Sequence, residues 1–255
     1  MIFYFSATGN SKYAAERIAA ATDDRLVFLR DAVRSRSYRY DAGREARIGF
    51  VIPVYFQGLP SIVTFFLEKL ELTGCRDPYI YLVLTCGKTT GGAAGQMARL
   101  LAKKGLSLSA QFGIPMVDNY VPMFRIPGPE ETAALLDKAE DAVDEALRVV
   151  RAKGLGDYNR CQGPAPALQT AAAYPVYAHG RSTRPFVVTD ACIGCGLCQE
   201  LCPCGAVTLF DGRPSWTKPK CVRCLACLHR CPAGAIHWKT AEEDRGRYYN
   251  PRVEP

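Results

Sequence analysis

The sequence predicts an α/β protein, in which a parallel sheet covered by helices is followed by a smaller, cysteine-rich α+β domain. Two observations lead to this prediction. Strand-like and helix-like runs alternate through about the first 150 residues, and such alternation places helices on both faces of a parallel sheet. Nine of the twelve cysteines then fall between positions 192 and 231. The second domain is therefore expected to depend on metal or thiol chemistry.

Composition narrows the class of protein further. The chain has 255 residues, 48% of them hydrophobic, and a formal net charge of +7 with both signs mixed. No basic run of nucleic-acid type and no apolar run of about 20 residues stands out, so we expect neither nucleic-acid binding nor a membrane span. The first residues lack the features of a secretory leader. We therefore expect a cytoplasmic protein, in which closely spaced cysteines favour metal over disulfides.

The elements of the first domain follow from the spacing of its apolar residues. The predicted strands are 2–5, 26–29, 48–55, 79–85 and 106–114, and the predicted helices are 11–21, 61–70, 91–104 and 130–152. The run at 79–85 is continuously apolar, which is typical of a strand buried on both faces. The last helix has one apolar stripe, made of Leu136, Ala139, Val143, Ala146 and Val150.

Five strands in this pattern fit the order 2-1-3-4-5 of flavodoxin-like sheets. In that order the ligand binds beyond the carboxyl ends of strands 1 and 3. The pattern breaks at 154 into a segment rich in Gly, Pro and Ala, with one short helix expected around 166–173. The predicted units are an α/β domain at 1–153, a linker at 154–185, a cysteine domain at 186–240 and a partly ordered surface tail at 241–255.

The cysteine domain is an internal repeat. Two copies of C-x2-C-x2-C-x3-C-P lie 29 residues apart. They resemble the bacterial ferredoxins with two [4Fe–4S] clusters, in which the fourth cysteine of each run binds the other cluster. The resemblance implies a cluster I site at Cys192, Cys195, Cys198 and Cys231, and a cluster II site at Cys221, Cys224, Cys227 and Cys202. Zinc is the alternative, but zinc sites use pairs of CxxC rather than two runs of four.

The repeat also identifies one cysteine without a counterpart. The position that matches Cys204 in the second copy is Ala233. A ligand that the clusters require is expected in both copies. Cys204 is therefore interpreted as a small, partly buried residue rather than a ligand.

A second candidate site begins at SATGNS, residues 6–11, between the first predicted strand and helix. Backbone N–H groups at a helix N-terminus face an anion, and the helix dipole favours it. The loop matches neither a dinucleotide nor an NTP fingerprint, and an ordinary capped turn is the alternative. It resembles the flavodoxin phosphate loop, [ST]-x-T-G-x-[ST]. The resemblance implies that FMN is bound by Ser6, Thr8, Gly9, Asn10 and Ser11.

Three further loops fall where a flavodoxin would hold the flavin ring. The loop at 53–60 offers Tyr55, Phe56 and Gly58, although core packing is the alternative for the two aromatic residues. The loop at 85–92 offers four candidates, which are Thr85, Gly87, Gly91 and Gly92. Residues 118–124 would form a third wall through Asn119 and Tyr120.

The chain as a whole resembles the flavodoxin–ferredoxin fusions of the EFR1 family. The resemblance implies a relay of single electrons between two [4Fe–4S] clusters and FMN, in an electron-transfer protein or reductase of anaerobic metabolism. The alternative is an iron–sulfur flavoenzyme that reduces a small-molecule acceptor at FMN. No acid–base set is evident, so no catalytic residue is assigned. The expected partner is a redox protein of ferredoxin, flavodoxin or oxidoreductase type, and a small-molecule acceptor and a homodimer are left open as further alternatives.

Overall fold

A six-stranded parallel sheet forms the centre of the first domain in the computed structural model, which describes residues 1–43, 47–239 and 245–254. The strands are β1 (Ile2–Tyr4), β2 (Leu26–Phe28), β3 (Arg39–Asp41), β4 (Arg47–Pro53), β5 (Glu71–Thr73), β6 (Tyr79–Cys86), β7 (Ala110–Pro115) and β8 (Gly156–Tyr158). The helices are α1 (Asn10–Thr22), α2 (Leu29–Arg34), α3 (Ser61–Lys69), α4 (Ala93–Ala102), α5 (Pro129–Arg151) and α6 (Pro166–Gly180).

The sheet has the order β2-β1-β4-β6-β7-β8, while β3 and β5 pair separately. This confirms the flavodoxin-like class. The prediction of five strands was wrong by one, because β8 lies in the predicted linker. Its residues pair in parallel with β7 from Ala110↔Gly156 to Phe112↔Tyr158. A three-residue edge strand that begins with glycine has too little apolar pattern to be recognised in a sequence.

The sheet is buried on both faces, as the apolar run at its centre predicts. All eight residues of β6 are buried. Leu82 and Leu84 pack with Phe66 of α3 on one face. On the other face Val83 packs with Ile18 of α1 and with α5. The edge at which the sequence predicts a ligand is therefore held by a rigid, two-sided core.

The predicted linker is mostly ordered. Helix α6 has 15 residues and continues through Pro175, past the predicted end at 173. A proline inside a helix removes one backbone hydrogen bond. The helix persists because tertiary contacts hold it: Tyr174 donates to the carbonyl of Leu59 at 2.8 Å, and the Tyr177 hydroxyl accepts from the Ser61 N–H at 2.9 Å.

The second domain consists of β9 (Phe186–Val188), α7 (Leu197–Leu201), β10 (Val207–Phe210), β11 (Arg213–Trp216), α8 (Ala226–His229) and β12 (Ile236–Trp238). Strand β10 pairs with β11, and β12 pairs with β9, both antiparallel. Helix α8 begins 29 residues after α7 begins, and strand β12 begins 29 residues after β10 begins. The repeat in the sequence is thus a repeat in the fold.

The interpretation of 241–255 as a surface tail needs correction. Residues 240–244 and 255, which include the predicted domain boundary, lie outside the described residues. Residues 245–254, here called the C-terminal segment, pack against both domains, and Asn250 is completely buried. Their partners lie more than 200 positions away in the first loop, so no local pattern could reveal them. None of the described helices has the length and apolar character needed to cross a bilayer.

Candidate functional site: two cysteine clusters at the edge of the sheet

The four thiols of the cluster I site share one cavity. Cys192, Cys195, Cys198 and Cys231 line it, together with apolar side chains such as Leu209 and Ile236. The cavity reaches the surface, where Cys195 is exposed and Ile193 is 68% exposed. The fold therefore brings the last cysteine of one run to the first three of the other. Metal ligation by these thiols stays a prediction.

The two cysteine loops have the same backbone conformation. Gly194 and Gly196 have φ of 68° and 79°, and the matching positions Arg223 and Leu225 both have φ of 59°. A left-handed conformation costs a non-glycine residue about 1–2 kcal/mol. The second loop keeps the left-handed conformation at Arg223 and Leu225 in spite of this cost. This indicates that the positions of the thiols in that loop depend on the left-handed conformation.

The fourth cysteine of each run accepts a backbone hydrogen bond. The N–H of Ala206 donates to Cys202 Sγ at 3.1 Å, and the N–H of Ala235 donates to Cys231 Sγ at 3.3 Å. Hydrogen bonds to sulfur stabilise the thiolate form and raise the reduction potential of a bound cluster. The repeat thus reproduces the polar surroundings of these thiols as well as their positions.

The thiols of the cluster II site lie between the two domains. Cys224 packs against the core of the first domain. Burial raises the pKa of Cys221 to about 11 and the pKa values of Cys224 and Cys227 well above the ordinary range. Without a metal these thiols are neutral. Metal binding there must release their protons.

The residues present fit an iron–sulfur cluster at this site. Thiolates are the ligands that such clusters use. In addition, the Nε atoms of Arg181 and Arg223 are buried with no hydrogen-bond partner among the described residues. Both arginines contact Cys221. The negative charge of a cluster would provide the acceptor that these donors lack.

Cys204 lies beside the cluster II site. Its Sγ is 3.9 Å from Cys202 Sγ. A hydrogen bond between these thiols raises the pKa of Cys204 and lowers the pKa of Cys202. The assignment of Cys202 as a ligand and of Cys204 as a non-ligand rests on the repeat and stays a prediction.

The polar side chains of the first loop are tied to the loops that surround it. Thr8 Oγ1 accepts from Asn119 Nδ2 at 2.8 Å, and Ser11 shares a hydrogen bond of 2.7 Å with Thr85. Asn10 donates to the carbonyl of Val117 at 3.0 Å. The structure therefore brings the candidates at the ends of β1, β6 and β7 together.

The C-terminal segment covers one side of this loop. The Tyr248 hydroxyl donates to Asn10 Oδ1 at 2.6 Å, and the N–H of Asn250 donates to the Thr8 carbonyl at 2.8 Å. A Cβ at Gly9, where φ is 91°, would lie 2.8 Å from Asn250 Cβ. Glycine is required there both for its conformation and for the approach of this segment.

The other side of the loop faces a cavity. Its lining includes Ser6, Ala7, Arg30, Arg230 and the cluster II thiol Cys224. No side chain caps the N-terminus of α1. Arg30 and Arg230 add positive charge to the cavity, and Arg30 also pairs with Asp31 at 2.8 Å. Of residues 6–11, Ser6 and Ala7 line the cavity, and binding of the FMN phosphate by the first loop stays a prediction.

The predicted ring site is covered by protein. Phe56 packs between Tyr120, with ring centroids 5.2 Å apart, and Tyr177, with ring centroids 5.9 Å apart. A Cβ added at Gly58 would overlap the ring of Tyr174. Phe56 is therefore packed among protein side chains, as in the core-packing alternative that the sequence left open. A flavin ring would need α6 to move away from the loop at 53–60.

The other candidate glycines also face protein. A Cβ at Gly91 would lie 2.6 Å from Gln57 Cβ, and one at Gly92 would lie 3.0 Å from Thr170 Oγ1. A Cβ at Gly87 would overlap Asp118. These glycines therefore lie against protein, and their contact with a ligand stays a prediction.

His229 is a buried residue for which the sequence contains no motif, and it is 6% exposed. Burial lowers its pKa to about 4, so the ring is neutral. Its Nδ1 accepts from the Tyr248 N–H at 3.2 Å and its Nε2 donates to the Asn119 carbonyl at 2.8 Å. The ring thus joins the two domains and the C-terminal segment.

The sheet order and the paired cysteine loops define the class: a chain that joins a flavodoxin-like α/β domain to a domain of the 4Fe-4S dicluster type. Residues 191–236 match the family model described as a 4Fe-4S dicluster domain. No curated protein matches the chain.

Several solved structures are similar to the chain. A putative flavoprotein from Bacteroides uniformis has 17% identity and a TM-score of 0.37, over 45% of this chain and 88% of its own. The Trp repressor binding protein from Bacillus subtilis has 14% identity and a TM-score of 0.38, over 59% of this chain and 97% of its own. A flavodoxin from Streptococcus pneumonia TIGR4 has 16% identity and a TM-score of 0.35, over 56% and 97%.

Proposed function

We propose that this protein carries single electrons between two [4Fe–4S] clusters and FMN, and exchanges them with a redox protein. One observation carries the proposal: the cluster I thiols open to the surface, whereas the cluster II thiols lie between the domains, beside the first loop. Cys195 is exposed, and Cys224 lines the same cavity as Ser6 and Ala7. This arrangement suits entry of electrons at one end and a cofactor at the other.

The clusters supply one-electron transfer, and FMN supplies a group that takes one or two electrons. The chain holds the cluster thiols in left-handed loops and donates N–H groups to Cys202 and Cys231. The first-turn N–H groups of α1, with Arg30 and Arg230, are the groups that would bind the FMN phosphate.

The alternative, a flavoenzyme with a small-molecule acceptor, has less support. Both proposals need α6 to move away from the loop at 53–60 so that the flavin ring can bind, and a small-molecule acceptor needs further open space above the ring. Residues of α6 and of 118–124 pack directly against the loop at 53–60, through Tyr177 and Tyr120. A protein partner at the surface near cluster I needs no such space.

The partner surface is expected at the exposed rim of the cluster I site. Ile193 lies within the cluster I loop, and Phe210 of β10 is 57% exposed. Exposed apolar residues near a redox centre are typical of transient docking surfaces. The homodimer that the sequence left open is tested separately by sedimentation of the reconstituted chain.

Anaerobic electron-transfer kinetics test the proposal. We expect Ile193→Asp to slow reduction of the reconstituted protein by a reduced ferredoxin-type donor about tenfold, and to leave reduction by dithionite unchanged. Leu168→Asp is the matched control, since Leu168 is also exposed, at 70%, but lies on α6. Turnover of a small-molecule acceptor without any partner protein would instead establish the flavoenzyme alternative.

A further inference from the structure

Two guanidinium groups beside the cluster II site each keep a buried donor without an acceptor. These donors are Arg181 Nε and Arg223 Nε, for which the described residues provide no hydrogen-bond partner. Buried donors of this kind are rare in folded proteins, since loss of water must be compensated. Each one calls for a specific explanation.

Both arginines contact one cysteine of the site. The N–H of Arg223 donates to Cys221 Sγ at 3.2 Å. The Cys221 N–H donates to the Arg181 carbonyl at 3.0 Å, and Arg181 Nη1 donates to the Cys221 carbonyl at 3.4 Å. Arg181 follows α6 and Arg223 lies in the cysteine loop, so two separate segments contact Cys221, through backbone groups and Arg181 Nη1.

The positive charge of these groups is not neutralised locally. Within the part of the chain that the structure describes, neither guanidinium forms an ion pair with a carboxylate. Arg223 lies over the rings of Trp238, at 4.8 Å, and Tyr120, at 5.8 Å. Aromatic faces hold the guanidinium in place and leave its net charge intact.

We propose that Arg181 and Arg223 pair with the charge of the cluster at the cluster II site and raise its reduction potential. A [4Fe–4S] cluster with four thiolates is negatively charged and gains a further negative charge on reduction. Burial disfavours that gain, and neighbouring cations favour it. The inference rests on the proposed function, because it requires a cluster at Cys202, Cys221, Cys224 and Cys227.

Near the cluster I site the structure describes two arginines of a different kind. The Arg247 side chain donates to backbone carbonyls, including that of Ile236, and its charge acts on Cys231 as well as Cys227. Arg213 is the arginine of the hairpin near that site, and it is half exposed and pairs with Asp190 at 3.1 Å. Exposure and pairing both weaken its effect on a distant charge. Arg213→Gln is therefore a control that removes the same charge from the same domain.

The test is a redox titration of the reconstituted protein, followed by electron paramagnetic resonance. We expect Arg223→Gln and Arg181→Gln each to lower the potential of one of the two clusters. At a fixed ambient potential, the ratio of reduced to oxidised cluster should fall about tenfold, which corresponds to 59 mV for one electron. Arg223→Lys, which keeps the charge, should lower the reduction potential less than Arg223→Gln does. Arg213→Gln should leave the reduction potentials of both clusters unchanged.

The outcomes separate this inference from the proposed function. Iron content and the number of reducible clusters are measured on every variant. If two clusters form but neither potential moves, or if both move equally, the arginines do not act on cluster II. If the wild-type chain fails to form two reducible clusters, the proposed function itself is wrong.

Discussion

The hydroxyl of Tyr248 donates to Asn10 Oδ1 at 2.6 Å, across 238 positions of the chain. This bond joins the C-terminal segment to the loop that the sequence assigned to phosphate binding. Arg247, the preceding residue, donates to the carbonyl of Ile236 at 2.8 Å in the ferredoxin-type domain. The segment therefore connects the first loop to the cysteine domain.

Removal of the Tyr248 hydroxyl should destabilise the protein. We expect Tyr248→Phe to lower the free energy of unfolding by about 0.5–1.5 kcal/mol, because Asn10 Oδ1 loses one of two donors and keeps Asn250 Nδ2 at 3.2 Å. Urea unfolding of the reconstituted chain measures this change. Tyr249→Phe is the control, since the Tyr249 hydroxyl bonds the Glu254 carbonyl at an exposed site, and a change within about 0.5 kcal/mol is expected. Equal effects of the two variants would show that the Asn10 contact adds nothing.

His229 should be replaceable only by a side chain that both donates and accepts. His229→Leu leaves the Asn119 carbonyl and the Tyr248 N–H without this partner, at a cost of about 1–3 kcal/mol for each. His229→Gln offers an amide N–H and a carbonyl, so it should be more stable than the leucine variant. Thermal unfolding compares the two. Equal stability would mean that the hydrogen bonds of the ring do not hold the domains together.

The two neighbouring thiols at the cluster II site should differ in function. We expect Cys204→Ala to keep about eight irons per chain, four for each cluster, and Cys202→Ala to lose about half of them. The reason is that Cys202 has a counterpart in the repeat and Cys204 does not. Iron and sulfide analysis after anaerobic reconstitution measures this. Loss of iron from the Cys204 variant would identify that thiol as a ligand.

Alanine should be tolerated less well at Gly194 than at Gly196. Both glycines have positive φ, so both variants cost about 1–2 kcal/mol. A Cβ at Gly194 would also lie 3.0 Å from the Gly212 carbonyl, whereas at Gly196 the nearest atom is 3.9 Å away, in Leu209. The rate of cluster loss in urea should therefore be faster for Gly194→Ala. The reverse order would contradict the geometry of this loop.

The parts that the sequence predicts well are those encoded by short-range patterns. The buried run at β6 and the apolar stripe of α5 follow from local periodicity. The two cysteine runs follow from a repeat, and the structure extends that repeat to the conformation of Arg223 and Leu225. In each case neighbouring residues in the sequence carry the signal.

The parts that the sequence could not reveal depend on distant contacts. Helix α6 continues past Pro175 because Tyr177 reaches Ser61 and Val222. The burial of Asn250 depends on Thr8 and Asn10, at the opposite end of the chain. Gly58 and Gly92 lie against Tyr174 and Thr170. Contact with a ligand and close packing against protein both favour glycine, so the sequence alone does not distinguish them.

Cofactor analysis of one anaerobically reconstituted sample tests the central claim most directly. Iron, sulfide and flavin are counted on the same protein after gel filtration. We expect about eight irons, about eight sulfides and about one FMN per chain, the iron and sulfide filling two [4Fe–4S] clusters. Eight irons without flavin would show that α6 keeps the ring site closed and that FMN is not part of the path. Zinc, or fewer than two clusters, would contradict the account of the cysteine domain.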